Sequence, residues 1–204
     1  MERRIDRQIV VPAIRDDVWH AWTTEKGAAT FFAPRAHIEL KLGGAYELLW
    51  SDDDEVPAGS QGSEGCRVLS YLPQEMLSFE WNAPPEFPAA RGVHTFVVVR
   101  LADTEPGTEC PAVPRVDEPM ALELVQRTPG VSTGGYDRRK EACVEASTFV
   151  RLTHLGWREG GEWDEAYKYF ELAWWTVLTR LRERFARGPI DWADPYFPPE
   201  RARV

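Results

Sequence analysis

Thr153-His154-Leu155-Gly156-Trp157, with the tryptophan-laden segment from Trp163 to about Arg187 behind it, is the most revealing stretch of this 204-residue chain. In that segment Trp163, Tyr167, Phe170, Trp174, Val177, Leu178, Leu181 and Phe185 recur at helical spacing and form one broad apolar stripe. A stripe of that width calls for a sheet as its partner. Gly160-Gly161 frees the start of the helix, and Gly188-Pro189 stops it, because glycine tolerates a left-handed cap and proline cannot extend the ladder. About 25 residues at 1.5 Å each give a rod of about 37 Å, long enough to cross a whole domain.

Upstream, the alternation of Ile5, Ile9 and Val11 predicts a first strand near residues 3 to 11, ended by Pro12. Ile14, Val18, Ala21 and Trp22 then predict a helix, and a second short one runs to Phe31-Phe32. Strands follow from residue 35, after Gly43-Gly44, at 65 to 72, 76 to 82, 93 to 101 and 147 to 154. The expected class is α+β: a curved antiparallel sheet of about seven strands gripping the long C-terminal helix, with two short helices after the first strand. We expect a single domain over 1–188 with an insertion at 103–146 between the last two strands. A short helix near Met120 to Gln126 would fit within the insertion. Residues 189–204 form a proline-rich tail carrying Trp192, Tyr196 and Phe197.

A hydrophobic content of 43% with 12% aromatic residues supplies a substantial core. The formal charge of −9 opposes a general role on nucleic acid or anionic membrane, since phosphate binding needs a basic face. No apolar run reaches the roughly 18 residues of a membrane helix, and the N-terminus lacks the apolar segment of a signal peptide, so a cytoplasmic location is expected. Cys66, Cys110 and Cys143 lack CxxC spacing and suggest neither a disulfide framework nor a zinc knuckle. His20, His37, His94 and His154 show no HExxH or other metal spacing, and Asp52-Asp53-Asp54-Glu55 reads as a hairpin end rather than a calcium loop. Neither a metal nor a cofactor is expected. Gly130-Val131-Ser132-Thr133-Gly134 spells a nucleophile elbow, but Thr128-Pro129 before it and Gly135 after it read as a loop.

Strand alternation supplies a better site. Leu48, Trp50, Leu77, Phe79, Trp81, Val97, Val99, Val150 and Leu152 share the parity that faces the helix, and His154 continues the parity of its strand. The expected lining of an apolar cavity is Trp50, Phe79, Trp81, Val97, Leu152, His154, Trp163, Tyr167, Phe170 and Trp174. Its mouth is expected among loops 51–64, 83–92 and 155–162, bordered by Trp157, Trp163 and Pro84-Pro85.

Val11-Pro12-Ala13, Val18-Trp19-His20-Ala21-Trp22-Thr23, Phe32-Ala33-Pro34, Gly43-Gly44-Ala45-Tyr46 and Gly65 to Trp81, completed by the 153–157 turn and the helix with Trp174 and Leu178, resemble the START-like, helix-grip superfamily. Within it the chain resembles the branch named after the activator of Hsp90 ATPase, the AHSA1-like domains, over residues 3–102 and 147–187. The resemblance implies a deep pocket between sheet and helix for lipid-like, polyketide-like or aromatic molecules. In that family's sheet order the first and last strands are neighbours, which would bring Arg7 near His154 as an anchor for a ligand carboxylate or phenolate; the plain alternative is an internal structural hydrogen-bond pair. Three functional classes stay open: binding of a hydrophobic, aromatic small molecule without covalent chemistry; a cyclase or hydrolase using His154 and Arg7 as acid-base and anion-stabilising groups; and a chaperone-associated interaction domain. Neither nucleic acid nor membrane is an expected partner, and contact with another protein or a second copy would run through 103–146 or 189–204.

Overall fold

The computed structural model describes residues 3–51, 56–104 and 146–193. Most of the insertion, its Met120–Gln126 segment, the 130–134 string, the acidic run 52–55, Cys110, Cys143 and the tail beyond 193 lie outside the described residues.

The chain runs β1 (Ile5–Val11), α1 (Arg15–Thr23), α2 (Glu25–Ala28), β2 (Arg35–Ile38), β3 (Tyr46–Leu49), β4 (Val68–Leu72), β5 (Met76–Trp81), α3 (Pro88–Arg91), β6 (Thr95–Asp103), β7 (Thr148–Leu155) and α4 (Glu162–Arg187). Five strands form an antiparallel sheet in the order β1-β7-β6-β5-β4, and β2 pairs with β3 in a separate hairpin. Isolated bridges Ala45 to Arg67 and Leu49 to Gly62 tie the two together. The predicted strand set therefore stands, divided five and two. Gly62 allows the division to stay close, since a Cβ there would lie 1.8 Å from the Leu48 carbonyl oxygen.

Burial follows the alternation. In β5, β6 and β7, Leu77, Phe79, Trp81, Val97, Val99, Val150, Leu152 and His154 are all buried, while their neighbours of opposite parity are more open. The α4 stripe closes over this face through Trp163, Ala166, Phe170, Trp174, Val177, Leu178 and Leu181. Its first turn carries Glu162, Asp164 and Glu165 and its last turn Arg184 and Arg187, a charge placement that complements the helix dipole. At the β7–α4 connection Gly156 adopts φ +87, and a side chain there would also crowd the Phe96 ring at 3.1 Å.

Two elements escape the periodicity. Residues 83–92, expected as a loop, contain the short helix α3, whose Ala90 amide donates to Glu162 Oε1 at the start of α4. The first tail residues fold back on the domain: the Ile190 amide donates to the Thr30 carbonyl and Trp192 Nε1 to that of Ala29. No helix among the described residues is long and apolar enough to cross a membrane.

Candidate functional site

His154 lies at the end of β7 with no solvent exposure, and burial holds its pKa well below the ordinary value of 6.5. Its hydrogen bonds fix the tautomer. Trp174 Nε1–H, which can only donate, reaches Nδ1 at 2.9 Å, so the ring proton sits on Nε2. That Nε2–H meets Thr95 Oγ1 at 2.7 Å, and the Thr95 hydroxyl donates in turn to the Trp81 carbonyl at 2.9 Å. One directed chain thus joins α4, β7, β6 and β5. Trp157 caps it from the side, its ring 4.4 Å from the imidazole and its Nε1–H on the His154 carbonyl at 3.2 Å.

Arg7 does not reach this chain. The β1–β7 register sets Ile5 opposite His154 and Arg7 opposite Leu152. From there the guanidinium donates to the Glu171 carbonyl at 3.1 and 3.2 Å, pairs with the Glu171 carboxylate and lies 5.4 Å from the Trp175 ring. The expected convergence of Arg7 with His154 is therefore absent: a strand-to-helix tie satisfies the arginine, and both ring nitrogens of the histidine are occupied.

Beside this hydrogen-bond chain is a cavity of about 400 Å³ between the middle of α4, residues 50–51 and 56–62, and the segment 82–91. Phe32, Trp50, Trp81, Tyr169, Phe170 and Trp174 form its aromatic wall. Trp81 organises them, with Phe32 stacked at 5.5 Å, Trp174 at 5.3 Å and Trp50 edge-on at 6.1 Å. Such pairs fix one another's orientation and each contributes about 0.5–1.5 kcal/mol beyond area burial. Trp81 Nε1–H is buried without a partner among the described residues.

Of the expected lining, Trp50, Trp81, Phe170 and Trp174 face the cavity. Phe79, Val97, Leu152 and His154 are packed in the core away from it. Trp163 pairs with Trp157, and Tyr167 caps the Arg4 carbonyl while Arg3 lies over its ring, so neither reaches the lining. Pro84 and Pro85 border the cavity as expected, whereas Trp157 and Trp163 close the neighbouring end of the core. A broader depression near Arg3, Arg4, Glu159 and Lys168 is open to solvent and walled by charge.

Sequence reasoning missed the loop clamp on the cavity's outer side. Arg91 donates to the Gly59, Gly62 and Ala83 carbonyls and pairs with Glu64 at 3.2 Å. Glu64 also accepts the amides of Gly59, Gln61 and Gly62. Burial alone would raise the Glu64 pKa, but hydrogen bonds from its own amide and those of Gln61 and Gly62, with the Arg91 charge, outweigh it and hold the carboxyl below its usual range. Cys66 is buried nearby, its thiol pushed up to about 12 by burial first and by the Glu80 charge second, which makes it a poor nucleophile.

This arrangement of curved sheet, gripping helix and flanking cavity has relatives. A family model described as activator of Hsp90 ATPase homolog 1-like protein matches residues 12–118, just over half of the chain. The chain belongs to this family. No curated protein matches it. Among solved structures, a Mesorhizobium loti protein of 16% identity superposes with a TM-score of 0.57, covering 92% of this chain and 100% of its own. The Aha1 dimer from Colwellia psychrerythraea does so at 17% identity and 0.54, over 91% and 98%. An AHSA1-like protein from Rhizobium etli, also 17% identical, gives 0.51 over 97% and 89%. At these identities the likeness extends to the fold. In this AHSA1-like domain, the cavity and relay must be read from its own residues.

Proposed function

We propose that this AHSA1-like domain binds a hydrophobic, aromatic small molecule in the cavity between α4, residues 50–51 and 56–62, and the segment 82–91, without covalent chemistry. The observation that carries the reading is the cavity itself. Its volume of about 400 Å³ falls in the range of ligand sites, roughly 300–1,000 Å³, and its wall carries six aromatic rings in mutual contact. Flat rings favour a flat guest, through stacked and edge-on contacts. His154, the candidate acid-base group, supports binding over turnover: both its nitrogens serve a buried hydrogen-bond chain, leaving no lone pair or proton for a substrate. A cytoplasmic site of action is part of the same reading.

A thermal-shift panel of polycyclic aromatics and acyl chains tests it. A ligand at a hundred times its Kd adds about 2.7 kcal/mol, equivalent to a rise of roughly 5–10 °C for a domain of this size. The rise is expected with the aromatics. Ala173→Phe, which fills the cavity from α4, is expected to keep its own midpoint and lose the ligand-induced rise. An unchanged midpoint across the whole panel contradicts the reading.

A further inference from the structure

Asn82 is a buried polar residue of the cavity wall. It is 7% exposed and immediately follows Trp81 at the end of β5. Two of its polar neighbours on the wall are engaged elsewhere, Arg91 in the loop clamp and Gln61 through Nε2 on the Val56 carbonyl. The Asn82 amide is oriented by chemistry. Its Nδ2 donates to the Glu64 carbonyl at 3.3 Å, an acceptor that only the NH₂ end can satisfy, so the oxygen must be the other terminus. That Oδ1 has no hydrogen-bond partner among the described residues. The Glu64 that takes this bond is itself anchored by three loop amides and Arg91. The result is a rigidly mounted acceptor at the edge of an aromatic chamber.

We infer that Asn82 is the specificity-determining contact of this cavity, its Oδ1 accepting a hydrogen bond from a hydroxyl on the ring of the bound molecule, so that the preferred ligand class is hydroxylated aromatics rather than aromatic hydrocarbons or aryl ethers. This rests on the binding role proposed above and adds its polar selectivity. The physical reason is asymmetric: a ligand hydroxyl replaces the hydrogen bond that water would give to Oδ1, whereas a hydrocarbon or ether filling the same space leaves a buried acceptor dry. Sites built to hydrogen-bond a ligand hydroxyl reject the analogue that lacks it more strongly than apolar pockets reject a change of size. The aromatic wall supplies affinity to all such guests alike, and Asn82 separates them.

The test is a fluorescence or calorimetric titration of the whole chain with 2-naphthol, 2-methoxynaphthalene and naphthalene, repeated on Asn82→Leu and Asn82→Ala. The expected result for the unmodified protein is a preference of roughly tenfold for 2-naphthol over the other two, the equivalent of one net hydrogen bond. Both variants are expected to bind naphthalene at least as tightly as before and to lose the preference. Naphthalene affinity is the control for an intact cavity, and the three-probe comparison on the unmodified protein needs no variant to fold. Equal affinity for all three probes overturns the inference and leaves the binding role standing. A preference that persists in both variants overturns it too, by placing the selective contact elsewhere. If none of the probes binds, the binding role fails and the inference falls with it.

Discussion

Trp174→Ala is expected to lower unfolding free energy by about 3–5 kcal/mol, the range for removing a buried tryptophan, which is a large share of the 5–15 kcal/mol of an ordinary domain. The magnitude follows from position. Trp174 is 1% exposed, touches Phe32, Trp81, Phe170 and His154, and is the sole donor to Nδ1 among the described residues. Trp174→Phe divides the effect: it keeps a ring in the cluster and removes only the donor, leaving a buried imidazole nitrogen unpaired at about 1–3 kcal/mol. Urea unfolding of both variants checks this. Equal losses for Ala and Phe would place the whole effect in the hydrogen bond, and a negligible loss for Phe would show that the relay contributes nothing to stability.

Acid is expected to weaken the fold through His154 at a pH where carboxylates are still ionised. Below pH 6.5 the unfolded chain takes up a proton at this position, while the folded protein refuses it, because burial disfavours the charge and the Trp174 N–H already points at Nδ1. The unfolded state then binds more protons, so stability is fully present above pH 6.5 and falls by about 1.4 kcal/mol per pH unit below it, until the lowered folded pKa is reached. His154→Gln carries no titrating group. It is expected to be less stable than the unmodified protein at pH 7.5, with the gap shrinking steadily toward pH 5 in urea titrations. His20, His37 and His94, each beside a surface carboxylate, are shared by the two proteins and cancel in the difference. Parallel stability curves would exclude residue 154 as the source of acid sensitivity.

Much of this structure was legible because alternation and helical spacing are properties of local backbone geometry. Parity alone assigned Leu48, Phe79, Trp81, Val97 and Leu152 to the inner face, and the spacing of Trp163, Phe170, Trp174 and Leu178 assigned the helix stripe. The cavity was less legible because its wall combines elements whose approach no local pattern encodes. Phe32 comes from the corner after α2 to stack on Trp81, a tertiary contact. Asn82 has the parity of the outer face, but β5 ends at Trp81 and the rule lapses one residue before Asn82 matters. Arg91 sits in a four-residue helix that Pro84-Pro85 disguised as a loop. The pairing of Arg7 with His154 failed on distance along the sheet: a two-residue offset in register is enough to send a long side chain to the helix backbone instead.

On the proposed reading, the chamber beside α4, rather than the surface or the sealed end near Trp157, receives the guest. Indole N–H resonances report on it directly, since the nine tryptophans are distributed among these places. On titration with 2-naphthol, the signals of Trp50, Trp81 and Trp174 are predicted to move together and saturate, while those of Trp157 and Trp163 stay fixed. Movement confined to Trp19, Trp175 or Trp192, or no saturable movement at all, would rule out binding in this chamber.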